Sequence, residues 1–193
     1  MNGVLIVDKQ KGWTSHDVVG KVRKIIGIKK VGHAGTLDPM ATGVLPILIG
    51  DATKASKYLI EHDKVYRAEL TLGIQKDTAD EEGKILQQKE VKKEILQKKT
   101  IELILKQLVG KQEQIPPMYS SVKIKGKKLY EYAREGKKIE VPARQIEIYD
   151  MQLLEVNQEK NKIQFQVKCS KGTYIRVLCE EIAKRLGTVR LYE

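Results

Sequence analysis

A chain of 193 residues, 41% of them hydrophobic, is long enough to bury one substantial core, and with no Pro/Ser/Gly-rich linker in view a single domain is expected. Lys and Arg number 36 against 25 Asp and Glu, and the formal net charge of +11 points to a polyanionic partner. The longest nearly unbroken apolar run, residues 44–49, falls far short of the ~20 residues a bilayer span needs, the N-terminus lacks a signal-peptide pattern, and two cysteines make neither a disulfide framework nor a zinc site, so a cytoplasmic protein with reduced core thiols is expected.

Residues 4–7, Val-Leu-Ile-Val, are apolar and rich in β-branched side chains, and the polar turn 8–13 ends them, which predicts a strand and then a loop. Thr14-Ser15-His16-Asp17 fits a capping box, in which hydroxyl and carboxylate satisfy orphan N–H groups at a helix start. Val18, Val19, Val22, Ile25 and Ile26 then recur at helical spacing as one apolar stripe, and Gly27 is the natural stop. Residues 32–43 hold three glycines, a His, an Asp and a Pro, a density that predicts an ordered loop. Residues 44–49 read as a buried strand that Pro46 would demote to an edge or a bulge, and residues 52–60 as a short helix.

Alternation over residues 65–72, with Tyr66, Ala68, Leu70 and Leu72 on one face, predicts a half-buried strand, and residues 76–84 an acidic solvated loop. Thr100 could cap a helix whose apolar face is Ile101, Ile104, Leu105 and Leu108, ending at Gly110. Residues 115–141 are rich in Lys, Tyr and Gly and read as a loop or insertion. Residues 146–156 and 163–169 resume β character as a hairpin turning at 157–161, and residues 175–186 carry a helical stripe of Val177, Leu178, Ile182, Ala183 and Leu186 that Gly187 closes. Helices and strands are mixed without strict alternation, so an α+β fold is expected.

Two stretches supply most of the charge: residues 84–112 contain eight Lys and three Glu, and residues 122–144 six Lys, two Arg and three Glu. The first reads equally as a solvated surface. In the second, Tyr130 and Tyr132 are interleaved with lysines just after Tyr119, the mixture of phosphate partners and stacking faces that suits RNA, while no DNA-binding motif is visible.

Asp38 stands between Gly35-Thr36-Leu37 and Pro39, where the backbone is tightly specified. It is either a turn residue bonding its own backbone or a carboxylate presented to a ligand. The loop lacks the features of a phosphate-binding loop or a serine elbow, and neither His33, His16 nor His62 adds a metal-ligand spacing, so a nucleophile or acid/base Asp without metal is the chemistry that remains.

The run Gly32-His33-Ala34-Gly35-Thr36-Leu37-Asp38-Pro39-Met40-Ala41-Thr42-Gly43-Val44-Leu45-Pro46 closely resembles the signature of the TruB family, the bacterial tRNA pseudouridine-55 synthases. Residues 11–15, 64–68, 116–120, 128–134 and 170–176 resemble further family segments in the same order. The resemblance implies a pseudouridine synthase fold, a mixed, largely antiparallel sheet with flanking helices, in a catalytic domain spanning residues 1–193 with a thumb-like insertion at 115–141. It implies that Asp38 is the catalytic aspartate of uridine isomerisation at position 55 in the T-loop of tRNA. Tyr66 would be the tyrosine stacked on the target base, and Arg176 the arginine paired with the aspartate, with Tyr174 in the same pocket. His33 resembles the histidine that holds the rearranged T-loop while the target base is flipped out. Lys9 and Lys11 are expected phosphate contacts, and Tyr119, Lys127 and Lys128 lie in the thumb that closes on the T-arm. A monomer without cofactor is expected.

Gln10 stands where the family pattern has Pro, and Ser121 where it commonly has Ala, both loop changes expected to be tolerated. Residues 187–193 replace a family segment that lines the active site and a C-terminal RNA-binding extension, so the expectation is a catalytic domain incomplete at that end, with an open sheet edge. Beside the enzyme stand a non-catalytic tRNA-binding or tRNA-folding module and a ribosome-associated basic protein. Intact Asp38, Tyr66 and Arg176 favour the enzyme.

Overall fold

In the computed structural model, which describes residues 1–76, 85–188 and 190–192, the chain divides into two compact units, Met1–His62 and Asp63–Glu193. The first begins with strand β1 (Gly3–Lys9) and helix α1 (Ser15–Ile26). The capping box forms as its sequence dictates: Thr14 Oγ1 accepts from the Asp17 N–H at 3.0 Å, and the Thr14 N–H donates to the Asp17 carboxylate at 2.8 Å. Gly27 ends the helix in the left-handed conformation (φ 70°), which costs glycine little, and its N–H returns to the Arg23 carbonyl. Strands β2 (Val31–His33) and β3 (Gly43–Ile49) complete an antiparallel sheet in the order β1-β3-β2. Val18, Val19 and Val22 of the helix bury against Val31, Leu45, Ile47 and Ile49 of the sheet. Ile25 departs from its expected stripe and is 70% exposed, whereas Ile26 packs on the core.

Two expectations for this unit change. The loop is shorter than residues 32–43, because β2 absorbs its start and β3 its last glycine. Pro46 sits in the central strand rather than at an edge, a position that works because of where its missing N–H would point. Pro46 and Ala34 stand where the next hydrogen-bonded pair of the β2–β3 ladder would form. Ala34 donates to the Pro46 carbonyl at 2.9 Å, and the return bond does not exist in proline. On its other side Pro46 faces Ile6 in a pair that needs no such bond. Residues 52–60 form a 3₁₀ turn (Gly50–Ala55) and then one short helix, α2 (Ser56–Ile60), in place of a single helix.

The second unit is built on β4 (Lys64–Leu72), with the short antiparallel pair β5 (Ile74–Lys76) and β6 (Ile85–Gln88) after it. The acidic loop expected at 76–84 lies outside the described residues from 77 onward. Helix α3 (Lys98–Gln107) begins two residues before Thr100, which falls inside it instead of capping it, and strand β7 (Gly110–Gln114) follows. Two-residue strands β8 (Lys123–Ile124) and β9 (Lys127–Lys128) form a hairpin whose turn residues, Lys125 and Gly126, both have positive φ, as a type I′ turn demands. Helix α4 (Leu129–Arg134) follows directly.

The long hairpin of β10 (Arg144–Asn157) and β11 (Lys162–Cys169) pairs as its alternation predicts, then α5 (Ile175–Arg185) and β12 (Arg190–Tyr192) follow. The sheet order is β12-β4-β11-β10-β7, antiparallel at every pairing. Ile163, Phe165, Val167 and Cys169 are fully buried, and Phe165 lies opposite small Ala68. In β10 the buried residues change parity, from Ile146 and Ile148 to Met151. An irregularity between Ile148 and Asp150 supplies the extra residue that keeps both sets inward. Helix α3 packs on β10, α5 packs on β4 and β12, and the two helices touch each other. Both cysteines are buried thiols outside any disulfide, as expected. The sheet edge expected to be open is paired by β12 over Leu70–Leu72. Among the described residues no helix is long and apolar enough to cross a membrane.

Thr14→Ala should cost about 1 kcal/mol in chemical denaturation, the usual value of a threonine N-cap. The Asp17 carboxyl is held below its ordinary value of 3.8, first by the hydrogen bond from the Thr14 side chain. A depressed carboxyl contributes stability above the unfolded pKa and loses it as pH falls through the folded one. Asp17→Asn should therefore flatten the acid limb of the stability curve below about pH 4.

Candidate functional site

Asp38 is half-buried in the loop between β2 and β3. Its carbonyl accepts from the Ala41 N–H at 3.0 Å, closing a turn with Pro39 at the second position, where its fixed φ fits. The peptides on both sides of Asp38 are held by the segment joining β1 to α1. On one side Ser15 Oγ accepts from the Leu37 N–H at 2.9 Å and lies 3.4 Å from the Leu37 carbonyl. On the other, the Pro39 carbonyl accepts from the Gly12 N–H at 2.8 Å and from the Lys9 ammonium at 3.2 Å.

Lys9 departs from its expected place as a phosphate contact. Its side chain is fully buried, and its ammonium also donates to the carbonyls of Trp13 at 2.7 Å and Gln10 at 3.1 Å. Burial pushes this ammonium below the ordinary lysine value, while the charge of Asp38 works the other way. Lys11 is exposed. His33, the last residue of β2, is half-buried. Burial lowers its pKa below 6.5, against a raising hydrogen bond with the Gly35 backbone, and so favours a neutral ring. Its buried Nδ1 has no hydrogen-bond partner among the described residues.

In the second unit Tyr66 lies on β4 opposite Val167, half-buried on the face that carries Ala68 and Leu70. Arg176 is the second residue of α5, and its Nη2 donates to the Tyr119 carbonyl at 2.8 Å. Tyr174 is the N-cap residue of the same helix, and its backbone is held by Gln114. The structure thus joins Arg176, Tyr174 and Tyr119 in one cluster. Tyr119 is itself 47% exposed.

Tyr130 and Tyr132 of 115–141 already have cations against them. Lys128 and Arg134 each lie 5.3 Å from the centre of the Tyr130 ring, and Lys127 lies 4.9 Å from that of Tyr132 while pairing with Glu135. That pairing raises the Lys127 pKa and lowers that of Glu135. Among the described residues no three His, Cys, Asp or Glu side chains converge as metal ligands would.

Sequence reasoning passed over Ser15 and Gln114. Ser15 carried a signal, since it follows the N-cap and is a small hydroxyl at a position the helix buries. Gln114 carried none beyond standing before Ile-Pro-Pro.

Residues 23–175 match the profile of "TruB family pseudouridylate synthase (N terminal domain)". The chain belongs to the TruB family. Within the TruB family, it is 54% identical over 187 residues to the tRNA pseudouridine synthase B of Alkaliphilus oremlandii and 51% identical over 190 residues to that of Bacillus subtilis. Each alignment covers 97% of this chain and 61% of the relative, so this TruB-family chain spans about three fifths of the length of those proteins. Among solved structures it superposes on a chain of a Cbf5-Nop10-Gar1 complex with a TM-score of 0.73 at 29% identity, covering 99% of this chain and 46% of that one. A chain of an H/ACA RNP bound to a substrate RNA containing 2′-deoxyuridine matches with a TM-score of 0.68 at 27% identity. The expected fold class, an α+β pseudouridine synthase fold with antiparallel sheets and flanking helices, is that of this TruB-family chain.

Ser15→Ala would leave the Leu37 N–H without its acceptor beneath the TruB signature loop. A loss of about 1–3 kcal/mol is expected in urea denaturation, the cost of an unsatisfied buried donor.

Proposed function

We propose that the chain isomerises the uridine at position 55, in the T-loop of tRNA, to pseudouridine, with Asp38 as the catalytic carboxylate. The observation that carries this reading is the intact signature around Asp38 on a loop whose backbone is pinned on both sides of that residue. Identity near one half to proteins named tRNA pseudouridine synthase B supports the substrate class.

In the reaction the bond between C1′ and N1 of the uracil breaks, a bond between C1′ and C5 forms, the C5 proton leaves, and N1 ends protonated. Uracil departs as a stabilised anion, so the task left to a carboxylate is to attack the sugar or to assist elimination at it. A half-buried Asp on a turn that cannot shift is suited to either role, because a misplaced nucleophile loses the advantage of orientation. In this reading Tyr66 packs on the flipped base and lies near the proton to be moved. Arg176 orients the carboxylate, and Tyr174 lines the same pocket. Neutral His33 fills the space the base leaves, which offsets part of the few kcal/mol that unstacking costs.

Residues 115–141 act as the thumb on the T-arm, with Tyr119, Lys127 and Lys128 in that surface, and Lys11 meets a phosphate. Lys127 serves the thumb also by bracing it through Glu135 and Tyr132. A tRNA substrate places the work in the cytoplasm.

A T-arm stem-loop carrying tritium at uracil C5 should release it with this chain and not with Asp38→Asn, while both bind the RNA within twofold of each other in a filter assay. Release by neither, with binding intact, would leave a tRNA-binding module in place of an isomerase. Binding should weaken about a hundredfold between roughly 50 and 200 mM salt if about four phosphates displace counterions. A flat salt response would remove the electrostatic part of the reading.

A further inference from the structure

Gln114 ends β7 and lies 60 residues before Tyr174 in sequence, yet its side chain is buried and spent on the start of α5. Its Oε1 accepts from the Tyr174 N–H at 2.8 Å and its Nε2 donates to the Tyr174 carbonyl at 3.2 Å. Tyr174 is extended (φ −98°, ψ 109°), so its N–H and C=O point the same way, and one carboxamide satisfies both as a neighbouring strand would. The N-cap position of α5 has no side-chain cap of its own, which leaves Gln114 as the tether that fixes where the helix begins. Arg176 is two residues further on.

The tip of Arg176 is held by the same stretch of chain. Its Nη2 donates to the carbonyl of Tyr119, and between Gln114 and Tyr119 lie Pro116, which is buried, and Pro117. Two prolines fix two φ angles and hold the residues before them extended, so the spacing between the tethers is stiff. One six-residue segment, 114–119, therefore grips both the backbone that launches Arg176 and the guanidinium at its end.

We infer that Gln114 is a positioning residue for Arg176: through the Tyr174 peptide and the Pro-Pro segment it sets the direction in which the guanidinium is presented. The inference rests on the proposed role of Arg176 in uridine isomerisation. Glutamine is the residue this task selects. Glutamate keeps the acceptor but turns a carboxylate toward the Tyr174 carbonyl, and asparagine is one methylene short.

The test is a double-mutant cycle on single-turnover tritium release, with RNA affinity measured beside it. Gln114→Ala should slow release about tenfold or more with affinity changed less than twofold, and Gln114→Glu should fall between it and the unmodified chain. In an Arg176→Lys background Gln114→Ala should cost less than twofold, because the group it positions is already gone. Equal losses in both backgrounds, or a lowered melting temperature with an unchanged rate in the folded fraction, would overturn the inference. A second readout needs no turnover: the side-chain ¹⁵N resonances of Arg176 should shift in Gln114→Ala. If the unmodified chain releases no tritium, the isomerase reading falls, and these resonances alone decide the placement; unchanged signals would refute it.

Discussion

The buried ammonium of Lys9 gathers the carbonyls of Gln10, Trp13 and Pro39, three dipoles that would otherwise face one another without compensation, and Pro39 directly follows Asp38. Removing an ammonium from water costs several kcal/mol, and three carbonyls with a nearby carboxylate are what offset it. The rest of the first unit serves the same end. The capping box fixes the start of α1, the start of α1 places Ser15, and Ser15 holds the peptide at Leu37. A loop rich in glycine is thereby kept to one conformation at the residue where conformation matters for chemistry.

The second unit solves a related problem by other means. Arg176 belongs to a helix, but a helix alone does not determine where a long guanidinium side chain ends. The structure adds a carboxamide at the base of the side chain and a carbonyl at its tip, both from one proline-stiffened segment. The adjoining hairpin and α4 carry cations stacked on tyrosines, so part of the charge that suggested RNA from composition is engaged in bracing this small subdomain.

Much of this was legible before any coordinates. The capping box, the alternation of β4 and β11 and the stripes of α3 and α5 are local patterns that formed where they were expected, and the loop around Asp38 formed with its two ends taken into β2 and β3. What was not legible depends on partners far away in the chain. Ser15 meets a residue 22 positions on, and Gln114 one 60 positions on, and no local pattern names either partner. Lys9 reads as any basic loop residue, since burial of a lone lysine leaves no periodic trace. Thr100 misled because a good capping residue is also tolerated one turn inside a helix when lysines before it extend the pattern.

Pro46 has a consequence for how the loop can behave. A β-ladder tends to zip onward wherever two strands continue side by side, and each added rung would draw residues out of the adjoining loop. At Pro46 the next rung is missing one of its two bonds, so zipping stalls there, one residue past His33. The proline acts as a stop on the zipper, keeping the span between His33 and Gly43 at constant length, so that the sheet does not draw in the residues that hold Asp38 in place.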